Sequence, residues 1–258
     1  MSDESGEWAT PRDFAIVGGI RIHYALDGPR RAPTLALVNM ASHNLTSWEP
    51  VLDTLTATFR VLRFDIRGTG RSEAGADRDF TFAHYADDLV GLLDTLEIDR
   101  AFVVGIAYGA RTAARFAIRH PDRLAALGLF DVSLTPPVEQ SMQRELGAQA
   151  RQLLAEAGET PPVPRKSWRF YLDRESARLA HTAHEHEADP TELLHRVRVP
   201  TLVACGRQDA NLAQARRIAN AIPGADFEIM ERTGHASTLY RPALFCELLE
   251  DFWARRGR

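Results

Sequence analysis

The sequence predicts an α/β protein, a mostly parallel central sheet flanked by helices. Three observations carry that reading. Apolar runs of strand length recur without polar alternation, as in residues 34–38 and 101–105, which fits strands buried on both faces. They alternate with runs of helical length and period: residues 82–96 place Tyr85, Leu89, Leu92, Leu93 and Leu96 on one face. Such alternation implies parallel strands joined by right-handed crossovers. And 258 residues suffice for one large α/β domain with a full core.

Taken in order, residues 1–11 read as a loose tail. Gly18-Gly19 between two β-rich runs, 14–17 and 20–24, is a two-residue hairpin signal. Strands follow at 34–38 and 60–65, with a helix at about 47–57 between them. A helix at 82–96 leads to a strand at 101–105, a helix at 107–119 and a strand at 124–130. After Asp131 the rhythm stops. Residues 132–198 show no strand and read as helices at roughly 138–158, 165–187 and 190–196, a helical insertion broken at Pro161-Pro162-Val163-Pro164. The core resumes with a strand at 200–205, a helix at 212–221, a strand at 226–230 and a helix at 242–255. The expected organisation is a core of 1–131 and 199–258 with a small cap of 132–198.

Composition is that of a soluble globular protein, 45% apolar and 26% charged. A formal net charge of -4 gives no pointer to nucleic acid or to an acidic membrane surface. Cys205 and Cys246 form no disulfide framework and read as buried thiols in a reducing compartment. Residues 1–10 are polar and acidic with no apolar signal region, and no apolar run approaches a membrane span. The expectation is a cytoplasmic protein acting on a small molecule, with no cofactor, metal, nucleic acid or membrane partner. Its oligomeric state is open, a homodimer among the options.

The stretch around which the chain is organised is Val103-Val104-Gly105-Ile106-Ala107-Tyr108-Gly109-Ala110. A strand enters, a helix leaves, and Gly-x-Ala-x-Gly lies between. The arrangement is that of a nucleophile elbow, Gly-x-Ser-x-Gly, with the serine replaced by alanine. A methyl group can neither attack a carbonyl nor carry an acyl group.

Four further stretches, with the order of elements, resemble the α/β-hydrolase superfamily over almost the whole chain, and within it the bacterial 3-oxoadipate enol-lactonases. Residues 39–48 look like the loop after the third strand. Asp65-Ile66-Arg67-Gly68-Thr69-Gly70-Arg71-Ser72 matches Asp-x-Arg-Gly-x-Gly-x-Ser. Gly206-Arg207-Gln208-Asp209 matches the Gly-x-x-Asp that bears the acid, and Gly234-His235 the motif that bears the histidine. The resemblance implies an α/β-hydrolase fold with a helical cap and the chain order of nucleophile position Ala107, acid Asp209 and base His235. In that scheme Asp209 accepts a proton from one ring nitrogen of His235 and fixes its tautomer. Asp131, after the preceding strand, is a rival acid, and an N-cap role is the alternative for Asp209. Two backbone N–H groups, of Tyr108 and of Ala41 (or Met40), would form an oxyanion hole. Asn39, Met40, Ser42, His43 and Arg111 are candidates to shape the pocket.

Other patterns carry less. His181, His184 and His186 have ligand-like spacing but read as a solvated helix face among acidic residues. Arg67 reads as ordering its own loop, and Gly68-Thr69-Gly70 is too short for a dinucleotide loop. Three functional readings stay open. One is a small-ester or lactone hydrolase disabled at Ala107. The second is a serine-less relative in which His235 is the general base for water attack, lyase, isomerase or cofactor-free oxygenase chemistry. The third is a small-molecule binding protein.

Overall fold

The computed structural model describes residues 12–134, 140–185 and 188–257. The expected tail at 1–11, the first residues of the cap helix predicted from Val138, and His186 with Glu187 lie outside them. Eight strands form one sheet in the order β1-β2-β4-β3-β5-β6-β7-β8. They are β1 (Arg12–Val17), β2 (Ile20–Asp27), β3 (Thr34–Val38), β4 (Arg60–Phe64), β5 (Ala101–Ile106), β6 (Leu124–Phe130), β7 (Thr201–Gln208) and β8 (Asp226–Gly234). β1 and β2 are antiparallel to their neighbours, and β4 through β8 run parallel. Gly18 and Gly19, with φ of 55° and 85°, make the predicted hairpin turn.

Burial on both faces explains the unbroken apolar strands. In β5, Phe102, Val104 and Ile106 pack on one side, with Val51 and Leu55 of α1 (Glu49–Leu55) and Phe245, Leu249 and Phe252 of α7 (Pro242–Arg256). Ala101 and Val103 face the other side, with residues of α2 (Phe82–Thr95), α3 (Tyr108–Arg119) and α6 (Leu212–Ala221). Period-two alternation thus feeds two cores, both apolar. Cys205 and Cys246 are buried free thiols, as expected. No helix among the described residues is long and apolar enough to cross a membrane.

No strand lies among the described residues between Phe130 and Thr201. That span holds α4 (Gln140–Glu156), α5 (Arg174–Ala180) and three short 3-10 segments. The helix expected over 165–187 is broken, and tertiary hydrogen bonds break it. The Trp168 carbonyl, which a continuous helix would offer to Leu172, accepts from Asn44 N–H (2.8 Å), while Leu172 N–H donates to Gly70 (2.9 Å). The Asn44 side chain donates to the Ser167 carbonyl (2.7 Å), and Asp173 restarts the helix by capping Glu175 and Ser176.

The Asp-x-Arg-Gly-x-Gly loop is built around a buried carboxylate. Asp65 accepts from Leu45 N–H (2.7 Å) and Arg71 N–H (2.9 Å) and pairs with His23 Nδ1 (2.7 Å). Gly70 leaves that carboxylate room: a Cβ there would lie 2.1 Å from Asp65 Oδ2. Arg67 grips Asp88 of α2 through two hydrogen bonds of 2.6 and 2.5 Å, fixing the loop as expected. Arg67→Ala would leave the Asp88 carboxylate buried and unpaired, and should cost about 3–5 kcal/mol in urea unfolding at neutral pH. Burial already pushes the Asp88 pKa up. Without the arginine the deficit should shrink as pH falls and Asp88 protonates, and an unchanged unfolding midpoint would contradict this account.

Candidate active site

The residues picked out from sequence emerge where parallel strands end. Ala107 follows β5, Asp131 follows β6, Asp209 follows β7, His235 follows β8, and residues 39–44 follow β3. β3 and β5 are neighbours, yet the chain leaves β3 toward β4 on one side and β5 toward β6 on the other. Such a switch point opens a crevice at the carboxyl ends of the strands.

Ala107 occupies a strained turn, φ 52° and ψ −110°. A non-glycine residue there costs about 1–3 kcal/mol. Its flanking glycines are required by contact. A Cβ on Gly105 would lie 2.3 Å from the Gly109 carbonyl oxygen, and one on Gly109 2.2 Å from that of Val38. The elbow geometry therefore persists without the serine. Ser42, Asp131 and Ala236 also have positive φ, so backbone strain gathers at this end of the sheet.

His235 Nδ1 lies 2.9 Å from Asp209 Oδ2, as expected. With Nδ1–H donated to the carboxylate, Nε2 is the ring nitrogen left as a base. Burial works against the imidazolium, but the hydrogen bond and charge of Asp209 outweigh it and raise the His235 pKa above its ordinary value. Asp209 Oδ1 accepts from Asn211 N–H (2.9 Å) and from Gln143 Nε2 of α4 (3.0 Å). The rival acid serves the backbone instead. Asp131, fully buried, accepts from Ser237 N–H (2.6 Å) and Gly206 N–H (3.3 Å), tying the loop after His235 to β7. Burial and the neighbouring Asp209 charge raise its pKa to about 7.

Ala107, Asp131 and His235 line a cleft of about 870 Å³ together with Met40, Ala41, His43, Tyr108 and Arg111. That size suits a small-molecule site, about 300–1,000 Å³. Two pocket candidates fall away. Asn39 is buried behind the wall, donating to the Phe64 carbonyl (2.8 Å) and accepting from Trp48 Nε1 (2.6 Å). Ser42 is not among the lining residues. The histidine run also needs correction. His181 is not on a solvated face: its Nε2 accepts from Ser42 N–H (2.7 Å), and its ring meets that of Tyr108 edge-on at 5.8 Å. His184 bonds the His181 carbonyl (3.0 Å) and also abuts Tyr108; His186 lies outside the described residues. The sequence reading missed Gln143, Arg144, Arg151 and Tyr240, which close the cleft from α4 and the β8 side. Arg144 and Arg151, seven residues apart on a helix, share a face, which was a usable signal. Gln143 offered none.

Residues 33–162, half of the chain, match the family described as alpha/beta hydrolase fold. The chain belongs to the α/β-hydrolase family. Several curated relatives are named "Putative carbamate hydrolase RutD". The one from Pseudomonas syringae pv. syringae is 29% identical over 245 residues, 86% of this chain and 93% of its own. The one from Caulobacter sp. strain K31 is 30% identical over 226 residues, 78% and 82%. Among solved hydrolases, the enol-lactonase from Burkholderia xenovorans LB400 superposes with a TM-score of 0.77 at 28% identity, over 94% of this chain and all of that one. An enol-lactonase is thus among the structural neighbours, in line with the resemblance read from the sequence motifs.

Because Asp209 is what raises the His235 pKa, Asp209→Asn should lower the ring's titration midpoint. Burial would then dominate and favour the neutral form. The raised pKa also fixes a sign: His235 contributes stability at low pH that is lost as pH rises through its folded value. An NMR titration of the His235 ring that shows no downward shift in Asp209→Asn would contradict the pairing.

Proposed function

We propose that the cleft hydrolyses a small, partly apolar ester or lactone without an acyl-enzyme. His235 Nε2 takes a proton from water, whose oxygen attacks the substrate carbonyl carbon. The resulting oxyanion is held by the N–H groups of Tyr108, at the start of α3, and of Ala41. Collapse breaks the bond to the alkoxide, which recovers the proton from His235, giving an acid and an alcohol. The observation that carries this reading is the His235–Asp209 pair opposite an elbow that keeps its strained turn with alanine in it. Both oxyanion donors are backbone groups, so the loss of a serine side chain leaves them in place. The names of the relatives, a carbamate hydrolase and an enol-lactonase, support a small carbonyl substrate. Arg111, Arg144, Arg151 and Arg169 around the cleft favour one that also carries a negative charge.

A second reading has one observation in its favour, the missing nucleophile itself: His235 would take a proton from a carbon acid, and no acyl transfer would occur. Ala107→Ser separates the two. In the hydrolytic reading the new hydroxyl completes a triad at a site already prepared. Turnover on a panel of small esters and lactones should rise by at least about 10²-fold, since a triad stripped of its nucleophile retains about 10³–10⁴-fold catalysis over water. Sulfonyl fluoride should then label position 107. Proton exchange into a carbon acid by either protein, with no ester or lactone turnover, would overturn it in favour of proton abstraction. No activity in either protein would favour a binding module.

A further inference from the structure

The peptide between Ala41 and Ser42 is pinned at both ends. Its carbonyl, that of Ala41, accepts from His43 Nδ1 (2.8 Å), and its N–H, that of Ser42, donates to His181 Nε2 (2.7 Å). Ser42 has φ 60°, an uncommon conformation for a residue with a side chain, so the loop needs outside support to stay there. Once that peptide plane is fixed, few torsions separate it from the adjacent Ala41 N–H. The same turn of chain reaches the other donor. The Ala180 carbonyl accepts from Tyr108 Oη (2.6 Å), and the His181 ring packs edge-on against the Tyr108 ring. Tyr85 Oη of α2 also donates to that carbonyl (2.6 Å), which anchors it.

We infer that the C-terminal turn of α5, through His181 and the Ala180 carbonyl, is the positioning device of the oxyanion hole, holding the Ala41 and Tyr108 N–H groups at a fixed separation. This rests on the reading above that those two N–H groups stabilise the oxyanion. His181 is a positioning residue: it acts through Ser42 and Tyr108 and makes no step of its own. An imidazole suits the task because its neutral form presents an acceptor at Nε2. Burial, with His43 nearby, holds the His181 pKa down to about 4, so the acceptor persists at neutral pH.

The test uses the full chain carrying Ala107→Ser, and its rate of phosphonylation by a p-nitrophenyl phosphonate, whose anionic oxygen must occupy the hole. His181→Phe, which fills the space without an acceptor, should slow labelling at least about tenfold. Ester kcat should fall with KM unchanged, and His181→Gln, which restores an acceptor, should recover most of the rate. Equal labelling of the His181→Phe protein and its parent would overturn the inference. If the Ala107→Ser protein is itself unlabelled, it is the oxyanion-hole reading that fails. Should His181→Phe not fold, the unmutated chain still decides: an N–H···N hydrogen bond gives a measurable ¹⁵N–¹⁵N coupling between Ser42 N and His181 Nε2, and its absence would remove the device.

Discussion

The site depends on one steric constraint, the contact between the start of α3 and the end of β3. Gly109 brings the helix so close that a Cβ would lie 2.2 Å from the Val38 carbonyl oxygen and 2.5 Å from that of Asn39. This sets the distance between the loop after β3 and the turn after β5, and so between the Ala41 and Tyr108 backbones. The strained φ at Ala107 follows from fitting a reversal between two such close approaches. A serine would add one hydroxyl to this frame and is not needed to hold it. Loss of the nucleophile and retention of the elbow are therefore physically compatible.

Much of this was legible in the sequence because it depends on local chemistry. Apolar runs gave the buried strands, Gly-Gly the hairpin, and motif order the pairing of Asp209 with His235. What was not legible depends on bonds between distant segments. The helix expected over 165–187 is broken because Asn44, more than 120 residues earlier, takes the Trp168 carbonyl. His181 looked like a solvated residue among acids, yet its partner is Ser42 N–H, which sequence spacing cannot show. Asn39 is a pocket candidate from its place in the loop after the third strand, but its amide is satisfied by Phe64 and Trp48 behind the wall. Hydrogen-bond accounting settles such cases, and it needs coordinates.

The carboxylates around His235 divide their labour by environment. Both Asp131 and Asp209 are buried after adjacent strands, and their nearness alone makes it costly to charge both. Asp131 spends its oxygens on backbone N–H groups, and its raised pKa reflects burial beside Asp209. Asp209 receives His235, Asn211 and Gln143 instead. The Gln143 contact means that α4 touches the carboxylate that pairs with His235.

The central claim is that the cleft binds a tetrahedral oxyanion between two backbone N–H groups and a histidine base, with no covalent bond to position 107. A crystal structure of the unmutated protein with a small phosphonate monoester tests it directly. The account predicts one phosphonate oxygen within about 3 Å of the Tyr108 and Ala41 nitrogens and another within the same distance of His235 Nε2. A phosphonate bound only at the arginines of the rim, with His235 Nε2 and the two N–H groups untouched, would contradict it.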